Sequence, residues 1–354
     1  MRVYNKKGAP LDFVIRQARP DEAPKVIALI TLQHGKNYPD HTVYDRDFMR
    51  DHIEKDLYRI ILAEHADGTA MGVVGFKKEN PFPGSLVFSF LVVDPRFRGF
   101  GLGKLLLRSL LDFLSGEAYT CVWGYCITID TLSQASHDEL GYRPAGLVPN
   151  CYFFDANGKF GAYLDVPLPL KHSLLVMCLP CGKRDAGVLY APSLYREYIT
   201  EVYESMQVMY RLREPEIDTP EAGHSLFAAD QNEYHHYCEL MVQQAGIDFK
   251  EILEKTLAQY AGLENQTFNT FISLNDPGAC FASRVLEEQG FFFTGLQPLA
   301  GQYEYMLFHY SPGLLIPFDT IKVTPAFERR LAYIKNLYYL RNSIYTEGSC
   351  GRAH

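Results

Sequence analysis

The sequence predicts an α/β (α+β) chain of two similar domains, each a mixed, mostly antiparallel sheet flanked by helices. Three observations lead to this prediction. The chain has 354 residues, which is long for one domain and comfortable for two. Strand and helix patterns follow one another in its first half in the order β-α-α-β-β-β-α-β-α. Part of that pattern returns 149 residues later. We therefore place one domain at residues 1–165 and a second at residues 166–354.

The elements of the first half follow from local sequence signals. Pro20, Asp21 and Glu22 precede an apolar periodic stretch, as at a helix start. Turn residues such as Asp67-Gly68 separate the strand patterns. The predicted elements, in chain order, are strand 13–19, helix 21–33, helix 44–55, strands 58–64, 70–77 and 85–93, helix 102–114, strand 119–129 and helix 132–140.

The second half begins with a predicted strand at 173–178 and a helix at 193–209, followed by a polar loop at 214–223. The repeat then lays residues 141–147 on 290–296, residues 91–93 on 240–242, and the helix at 102–114 over 252–263. We interpret this as an internal duplication. A packing copy requires that at least two of the three phenylalanines at 291–293 are buried.

Composition excludes several classes of protein. Hydrophobic residues make up 47% and charged residues 21%, which is typical of globular chains. No apolar run reaches the ~18 residues of a membrane span, and the N-terminus lacks the apolar stretch of a secretory signal. Eight scattered cysteines fit a reducing compartment, so we expect a cytoplasmic protein. Cys178 and Cys181 lack a second ligand pair or a helix start, which favours two thiols at a strand end.

The net charge of −8 is unevenly distributed. Residues 1–165 carry 19 Lys/Arg against 20 Asp/Glu, and residues 166–354 carry 15 against 22. This is not the basic footprint of a nucleic-acid-binding protein. The acidic second half either attracts a cationic amine or is a solvated surface.

The most informative stretch joins the strand at 85–93 to the helix at 102–114. Glycines at 99, 101 and 103 allow backbone amides to approach an anion, and the helix start adds free N–H groups and its dipole. Arg98 supplies charge, so the turn suits a pyrophosphate. The spacing fits neither the dinucleotide-binding GxGxxG pattern nor the Walker GxxxxGK[ST] pattern.

The spacing resembles the [RQ]xxGx[GA] signature of GNAT acetyltransferases, whose fixed positions are filled by Arg98, Gly101 and Gly103. The order of elements over about 13–165 and the turn Leu140-Gly141-Tyr142 resemble that family too. The second half resembles a tandem GNAT arrangement with a degenerate copy. The resemblance implies acetyl-CoA as co-substrate and no metal. The implied cofactor-binding residues are Leu91, Val92, Val93, Arg98, Gly99, Phe100, Gly101, Leu102, Gly103, Lys104 and Ser133.

The resemblance also implies candidates for proton transfer. In the family a tyrosine four residues before the glycine of the last helix protonates the leaving thiolate, and this chain has His137 there. Histidine titrates near neutrality and can replace it, or it is a helix residue with no role. Tyr125 is the substitute acid. The strand at 85–93 has no carboxylate, so Asp130 is the candidate base, directly or through water, or else an aspartate that only forms a turn. Substrate contacts are implied for the loop residues His34, Tyr38, Asp40 and Tyr44.

The offset of 149 places Ile247–Ile252 on the glycine turn and Leu286 on His137. Asp248 and Glu251 oppose a pyrophosphate there, so we expect cofactor binding in the first domain only. His235, His236 and Cys238 are predicted on one strand with alternating faces, which disfavours a shared metal.

The resulting hypothesis is acetyl transfer from acetyl-CoA to a primary amine by direct attack in a ternary complex. A small-molecule amine is favoured because a second domain packed on the cleft narrows access. The alternatives are a regulatory protein that binds acetyl-CoA without turnover, and an enzyme that uses a longer acyl-CoA. The sequence contains no signal for the acceptor, a nucleic acid, a membrane or the oligomeric state.

Overall fold

The structure of this chain is a computed structural model. It describes residues 1–4, 8, 10–36, 38, 40–78, 82–114, 119–153, 171–182, 185–213, 220, 223–260 and 262–349. By their contacts the described residues form two compact units, which are residues 1–124 and residues 125–153 with 171–349. The domain boundary expected between residues 165 and 166 lies outside the described residues and stays a prediction.

The first unit is an antiparallel sheet that ends in one parallel pair. Its strands follow one another in chain order and are β1 (Arg2–Tyr4), β2 (Pro10–Gln17), β3 (Tyr58–His65), β4 (Ala70–Lys77), β5 (Ser85–Val93) and β6 (Cys121–Ile127). Strand β6 belongs to this unit only as far as Gly124. The pairs from β1 to β5 are antiparallel, and β5 pairs with β6 in parallel. This agrees with the mixed, mostly antiparallel sheet expected from sequence.

Three helices pack on this sheet: α1 (Ala23–His34), α2 (Arg46–Glu54) and α3 (Leu102–Leu114). The side chain of Asp45 starts α2 by accepting the backbone N–H groups of Asp47 and Phe48. Buried residues of α1, α2, β3, β4 and β5 form one hydrophobic core. Helix α3 lies close to β4. A Cβ at Gly72 on β4 would come within 3.0 Å of the side chain of Leu106 on α3.

Among the described residues, the second unit contains five α-helices and nine strands, seven of which lie side by side in one sheet. Its helices are α4 (Leu132–Glu139), α5 (Arg196–Ser205), α6 (Phe249–Tyr260), α7 (Ala279–Glu288) and α8 (Pro325–Ser349). Its strands are β7 (Arg143–Phe153), β8 (Lys171–Pro180), β9 (Asp185–Tyr190), β10 (Met209–Arg213), β11 (Leu226–Asn232), β12 (Tyr237–Gln244), β13 (Thr267–Ser273), β14 (Phe292–Ala300) and β15 (Tyr303–Tyr310). The sheet order is β11-β12-β13-β15-β14-β7-β8, and β9 pairs with β10 separately.

The element order of the first half returns in the second. Strand β11 is antiparallel to β12 and β12 is parallel to β13, as β4 is antiparallel to β5 and β5 parallel to β6. Helix α7 ends 149 residues after α4, and β14 begins 149 residues after β7. All three phenylalanines at 291–293 are buried, as predicted from the sequence.

Three local predictions were wrong. The helix expected at 193–209 is a short 3-10 turn followed by α5, and Met209 begins β10. The repeated helix is Phe249–Tyr260 and not 252–263, so the offset falls to 147 at its start. His235 and His236 lie in the turn before β12 and not on a strand.

Over the described ranges, no group of three or more His, Cys, Asp or Glu side chains is placed to hold a metal ion.

No helix in the described part of the chain is long and apolar enough to cross a membrane.

Candidate functional site

The connection from β5 to α3 is held rigidly at its start. The side chain of Asp94 accepts the backbone N–H of Arg96 at 2.9 Å and binds the guanidinium of the same residue at 2.7 Å. This contact lowers the pKa of Asp94 below its ordinary value. Asp94 is buried, so the carboxylate fixes the direction in which the chain leaves the sheet.

Two glycines then give the turn its shape. Gly99 has φ 84° and Gly101 has φ 74°, a left-handed conformation that other residues rarely adopt. Chain neighbours aside, no described atom lies within 4 Å of the point where a Cβ would sit at either residue. Helix α3 begins at Leu102, and the first N–H groups of a helix have no partner inside it. The turn is therefore an open cradle of backbone donors at the positive end of a helix dipole.

Cationic side chains border this cradle. Arg98 is exposed and is held by contacts from its guanidinium to Gln33 Oε1 at 2.6 Å and to the carbonyl of Val93 at 3.4 Å. Lys104 is exposed in the first turn of the helix. Phe100 is half-buried, and a Cβ at Gly103 would lie in ordinary contact with the side chains of Leu91 and Val93. An anion at this turn would meet backbone N–H groups and positive charge together.

Strand β5 carries a bulge before the turn. Its register against β4 shifts between the pairs Gly75–Phe90 and Phe76–Phe88, which leaves Ser89 as the extra residue. The parallel ladder with β6 ends at the pair Val87–Trp123, six residues before the end of β5.

The residues of β5 that are predicted to bind the cofactor follow this bulge. Val92 is buried, while Leu91 and Val93 are half-buried. The end of β5 is therefore bent by the bulge and lies past the last paired residue of β6.

The loop candidates contact this strand and each other. Tyr38 donates its hydroxyl to the carbonyl of Ser89, and the backbone N–H of Tyr38 donates to Tyr44 Oη at 2.9 Å. Burial raises the pKa of Tyr38 well above its ordinary value, so it is a neutral phenol. The ring of His34 lies edge-on to Tyr38 with centroids 5.2 Å apart.

Asp40 is held by three neighbours, and no local sequence signal connects them with it. Tyr58 Oη donates to it at 3.1 Å, Lys77 Nζ lies 3.5 Å away, and the backbone N–H of Thr42 donates to it at 3.1 Å. Burial would raise the pKa of Asp40, but the hydrogen bonds from Thr42 and the charge of Lys77 bring it below its ordinary value. All four loop candidates are half-buried, and their substrate role stays a prediction.

His137 lies inside the second unit, on α4. It is 4% exposed, and its Nδ1 donates to the carbonyl of Ser133 at 2.8 Å. Its ring lies edge-on to Tyr142, with Cys126 Sγ 3.6 Å from Nδ1. Burial lowers the pKa of His137, so the ring is neutral near pH 7. With the Nδ1 proton already donated to a carbonyl, Nε2 carries a lone pair rather than a proton.

The other candidates of this unit have defined partners. Asp130 Oδ1 accepts the backbone N–H of Leu132 at 2.9 Å and so starts α4, while Ser133 is half-buried in the first turn of that helix. Tyr125 on β6 is half-buried and accepts a hydrogen bond of 2.8 Å from Gln297 Nε2. Gln297 follows 172 residues later, and no local sequence signal links it to Tyr125.

The equivalent turn of the second half is closed by its own chain. With the offset of 147 that the helix start requires, Gly99 corresponds to Gly246 and Gly101 to Asp248. A Cβ at Gly246 would lie 2.7 Å from the backbone nitrogen of Ser225. Asp248 Oδ1 accepts the backbone N–H of Ser225 at 2.8 Å. A backbone segment and a carboxylate therefore occupy the place where the first half is open.

The glycine turn of the first half is an open strand-to-helix junction, of the kind that binds anions. Residues 23–142 match the family model of the acetyltransferase (GNAT) family. Among curated proteins no match was found.

Solved structures with a similar fold cover about half of this chain. An N-acetyltransferase from Staphylococcus aureus Mu50 is 18% identical with a TM-score of 0.39, and the match covers 48% of this chain and 98% of that one. A putative acetyltransferase from Salmonella typhimurium, solved with its cofactor acetyl-CoA, is 19% identical with a TM-score of 0.39, over 49% and 95%. A spermidine/spermine N-acetyltransferase from Vibrio cholerae is 14% identical with a TM-score of 0.37, over 48% and 95%.

Proposed function

We propose that this chain transfers an acetyl group from acetyl-CoA to a primary amine, by direct attack in a ternary complex, with a small-molecule amine favoured. The observation that carries the proposal is the open left-handed turn at Gly99 and Gly101 at the start of α3. The family match over residues 23–142 supports it. Bound acetyl-CoA supplies an activated thioester that an amine attacks.

The residues around the turn then have separate tasks. The backbone N–H groups from Gly99 to Lys104 hold the pyrophosphate, and Arg98 adds a positive charge. Backbone groups of Leu91 to Val93, past the bulge of β5, pair with the pantetheine arm and polarise the thioester carbonyl. Ser133 is a further candidate for a cofactor contact.

Tyr125 is the better placed proton donor on chemical grounds. The lowered pKa and the bonded Nδ1 proton of His137 leave it without a proton to give at Nε2. Tyr125 is a half-buried phenol whose oxygen accepts a hydrogen bond, so its own O–H is a donor. Asp130 uses one oxygen for the start of α4 and has the second for a proton taken from the amine, directly or through water.

The four candidate substrate residues differ in the hydrogen bonds that they already make within the protein. Tyr38 is hydrogen-bonded to Ser89 and Asp40 to Tyr58, so both residues hold the loop in its conformation. His34 and Tyr44 remain the candidates for contact with an acceptor amine. A longer acyl donor is compatible with this arrangement because the turn contacts only the pyrophosphate.

A second candidate function is acetyl-CoA binding without turnover, in a regulatory protein. It is supported by the absence of a carboxylate in the sequence of β5 and by the neutral, buried His137.

The decisive experiment measures thiol release from acetyl-CoA over a panel of primary amines. Wild type is compared with Gly101→Asp, which puts a side chain and a negative charge in the open cradle. We expect at least a tenfold loss of acetyl-CoA affinity in that variant. Gly313→Asp is the matched control, since Gly313 has φ 72° and equally open surroundings in the second unit. Acetyl-CoA binding with no amine turned over would favour the regulatory function, and equal affinity in Gly101→Asp would refute both.

A further inference from the structure

A glutamine of the second half holds the phenol of Tyr125. Gln297 lies on β14, all of whose residues are buried, and is itself 0% exposed. Its Nε2 donates to Tyr125 Oη at 2.8 Å. A hydrogen bond made by a fully buried side chain is confined to one geometry, because the amide cannot leave for solvent.

The backbone that carries Gln297 is shaped by an irregularity just after it. The register of β14 against β15 shifts between Gln297 and Ala300, and Leu299 has a left-handed φ of 60°. Glu304 Oε2 accepts the N–H of Leu299 at 2.6 Å and the hydroxyl of Tyr203 at 2.6 Å. The bulge is thus fixed by side chains, and bulges of this kind re-aim the residues next to them.

Stability alone does not account for a glutamine at this position. Gln297 Oε1 is buried and has no hydrogen-bond partner among the described residues. An unsatisfied buried oxygen costs about 1–3 kcal/mol. An apolar side chain of similar size would avoid that cost, so the contact with Tyr125, and not stability, gives the amide a role here.

We infer that Gln297 is a positioning residue for Tyr125, whose side-chain N–H occupies the phenol oxygen and leaves the phenolic proton to be donated elsewhere. This inference rests on the proposed function, in which Tyr125 protonates the leaving thiolate. An N–H donor at the oxygen also stabilises the phenolate that remains after the proton has left. A residue from the second half of the chain thereby positions the proton donor.

The test places 3-fluorotyrosine at position 125 and follows its fluorine resonance during a pH titration of the full chain. Replacing the amide in Gln297→Leu should move the midpoint upward by roughly 0.5–1 pH unit, as the loss of one hydrogen bond predicts. Gln297→Glu should move it further, because a carboxylate accepts the phenolic proton instead of donating. Gln266→Leu is the control, since Gln266 is equally buried in this unit but contacts Gln231. Gln297→Met is used if the leucine variant does not fold.

Kinetics supply the second readout. We expect Gln297→Leu to lower kcat about tenfold with an unchanged KM for acetyl-CoA, and to add nothing in the background of Tyr125→Phe. An unchanged fluorine midpoint in Gln297→Leu overturns the positioning role, with or without turnover. A shifted midpoint in a protein that acetylates no amine upholds the contact and counts against the proposed function.

Discussion

At the scale of single residues, two side chains compete for the role of proton donor. His137 occupies the helix position where the resemblance places a tyrosine, but it is buried with its Nδ1 proton bound to Ser133. Tyr125 accepts a hydrogen bond from Gln297 at its phenol oxygen, so its O–H is not the donor in that contact. The position in the sequence favours His137, and the chemistry of the two surroundings favours Tyr125.

We therefore predict that Tyr125→Phe lowers kcat by about 10²-fold with little change in acetyl-CoA affinity, because only the proton donor is lost. His137→Asn should keep most of the turnover of the folded protein and lower its thermal midpoint. Steady-state kinetics and calorimetry on both variants check this. If His137→Asn loses the 10²-fold and Tyr125→Phe does not, the assignment is reversed and the histidine is the acid.

Glu22 makes the stability of the first unit depend on pH. Two guanidinium nitrogens of Arg16 bind its carboxylate, each at 2.7 Å, and Glu22 is 3% exposed. The hydrogen bonds from Arg16 lower the pKa of Glu22 to about 2, against 4.5 for a free glutamate. A folded pKa below the unfolded one stabilises the fold above pH 4.5, and this contribution is lost as the pH falls toward 2.

Urea unfolding between pH 6 and pH 3 tests this dependence. At pH 6, Glu22→Gln should be less stable than wild type by on the order of 2–3 kcal/mol. The gap should narrow as the pH falls below about 4.5, because the carboxylate of the unfolded wild type then binds a proton while the folded one, with a pKa of about 2, stays ionised. A gap that stays the same across this range would show that Arg16 and Glu22 contribute only through packing.

At the scale of elements, the bulge of β5 connects the loop candidates to the cofactor strand. Tyr38 donates to the carbonyl of Ser89, two residues before Leu91. The loop therefore supports the strand edge that we assign to pantetheine, in addition to any contact with the acceptor.

We predict that Tyr38→Phe lowers the free energy of unfolding by about 1 kcal/mol, the usual net value of one hydrogen bond. It should also raise the KM for acetyl-CoA severalfold, because the strand edge loses its support. Tyr44→Phe, which removes the acceptor of the Tyr38 N–H, is the companion variant. A rise confined to the KM of the amine would instead place Tyr38 against the acceptor.

Sequence patterns predicted elements best where the signal is local. Strands β4 and β5 and helix α3 have the predicted bounds. Turn residues mark both ends of the two strands, and glycines mark the start of the helix. The helix expected at 193–209 was too long, since its apolar pattern continues into the strand β10 that pairs with β9. The glycine turn was found for the same local reason. The contacts of Asp40 with Lys77 and of Tyr125 with Gln297 depend on the fold and leave no local trace.

At the scale of the whole molecule, the internal repeat is visible in how two equivalent strands meet. Strands β7 and β14 pair antiparallel through Gly146 and Gly295, which are 149 residues apart. A Cβ at Gly146 would lie 2.9 Å from the backbone of Leu296, so both positions need glycine for the strands to approach. Equivalent residues that meet each other are what a two-fold contact between two copies produces. This supports the proposed duplication independently of the sequence offset.

The final prediction is that one chain binds one molecule of acetyl-CoA, through the first half. The turn at Gly99 and Gly101 is open, whereas the backbone of Ser225 fills the space beside Gly246 and binds Asp248. Calorimetry should give a stoichiometry near one, with an affinity for acetyl-CoA that falls at least tenfold in Gly101→Asp. Asp248→Gly should not create a second site, because it removes the carboxylate but leaves the Ser225 backbone in place. Two sites in the wild type would show that the second half opens in solution and has kept its cofactor.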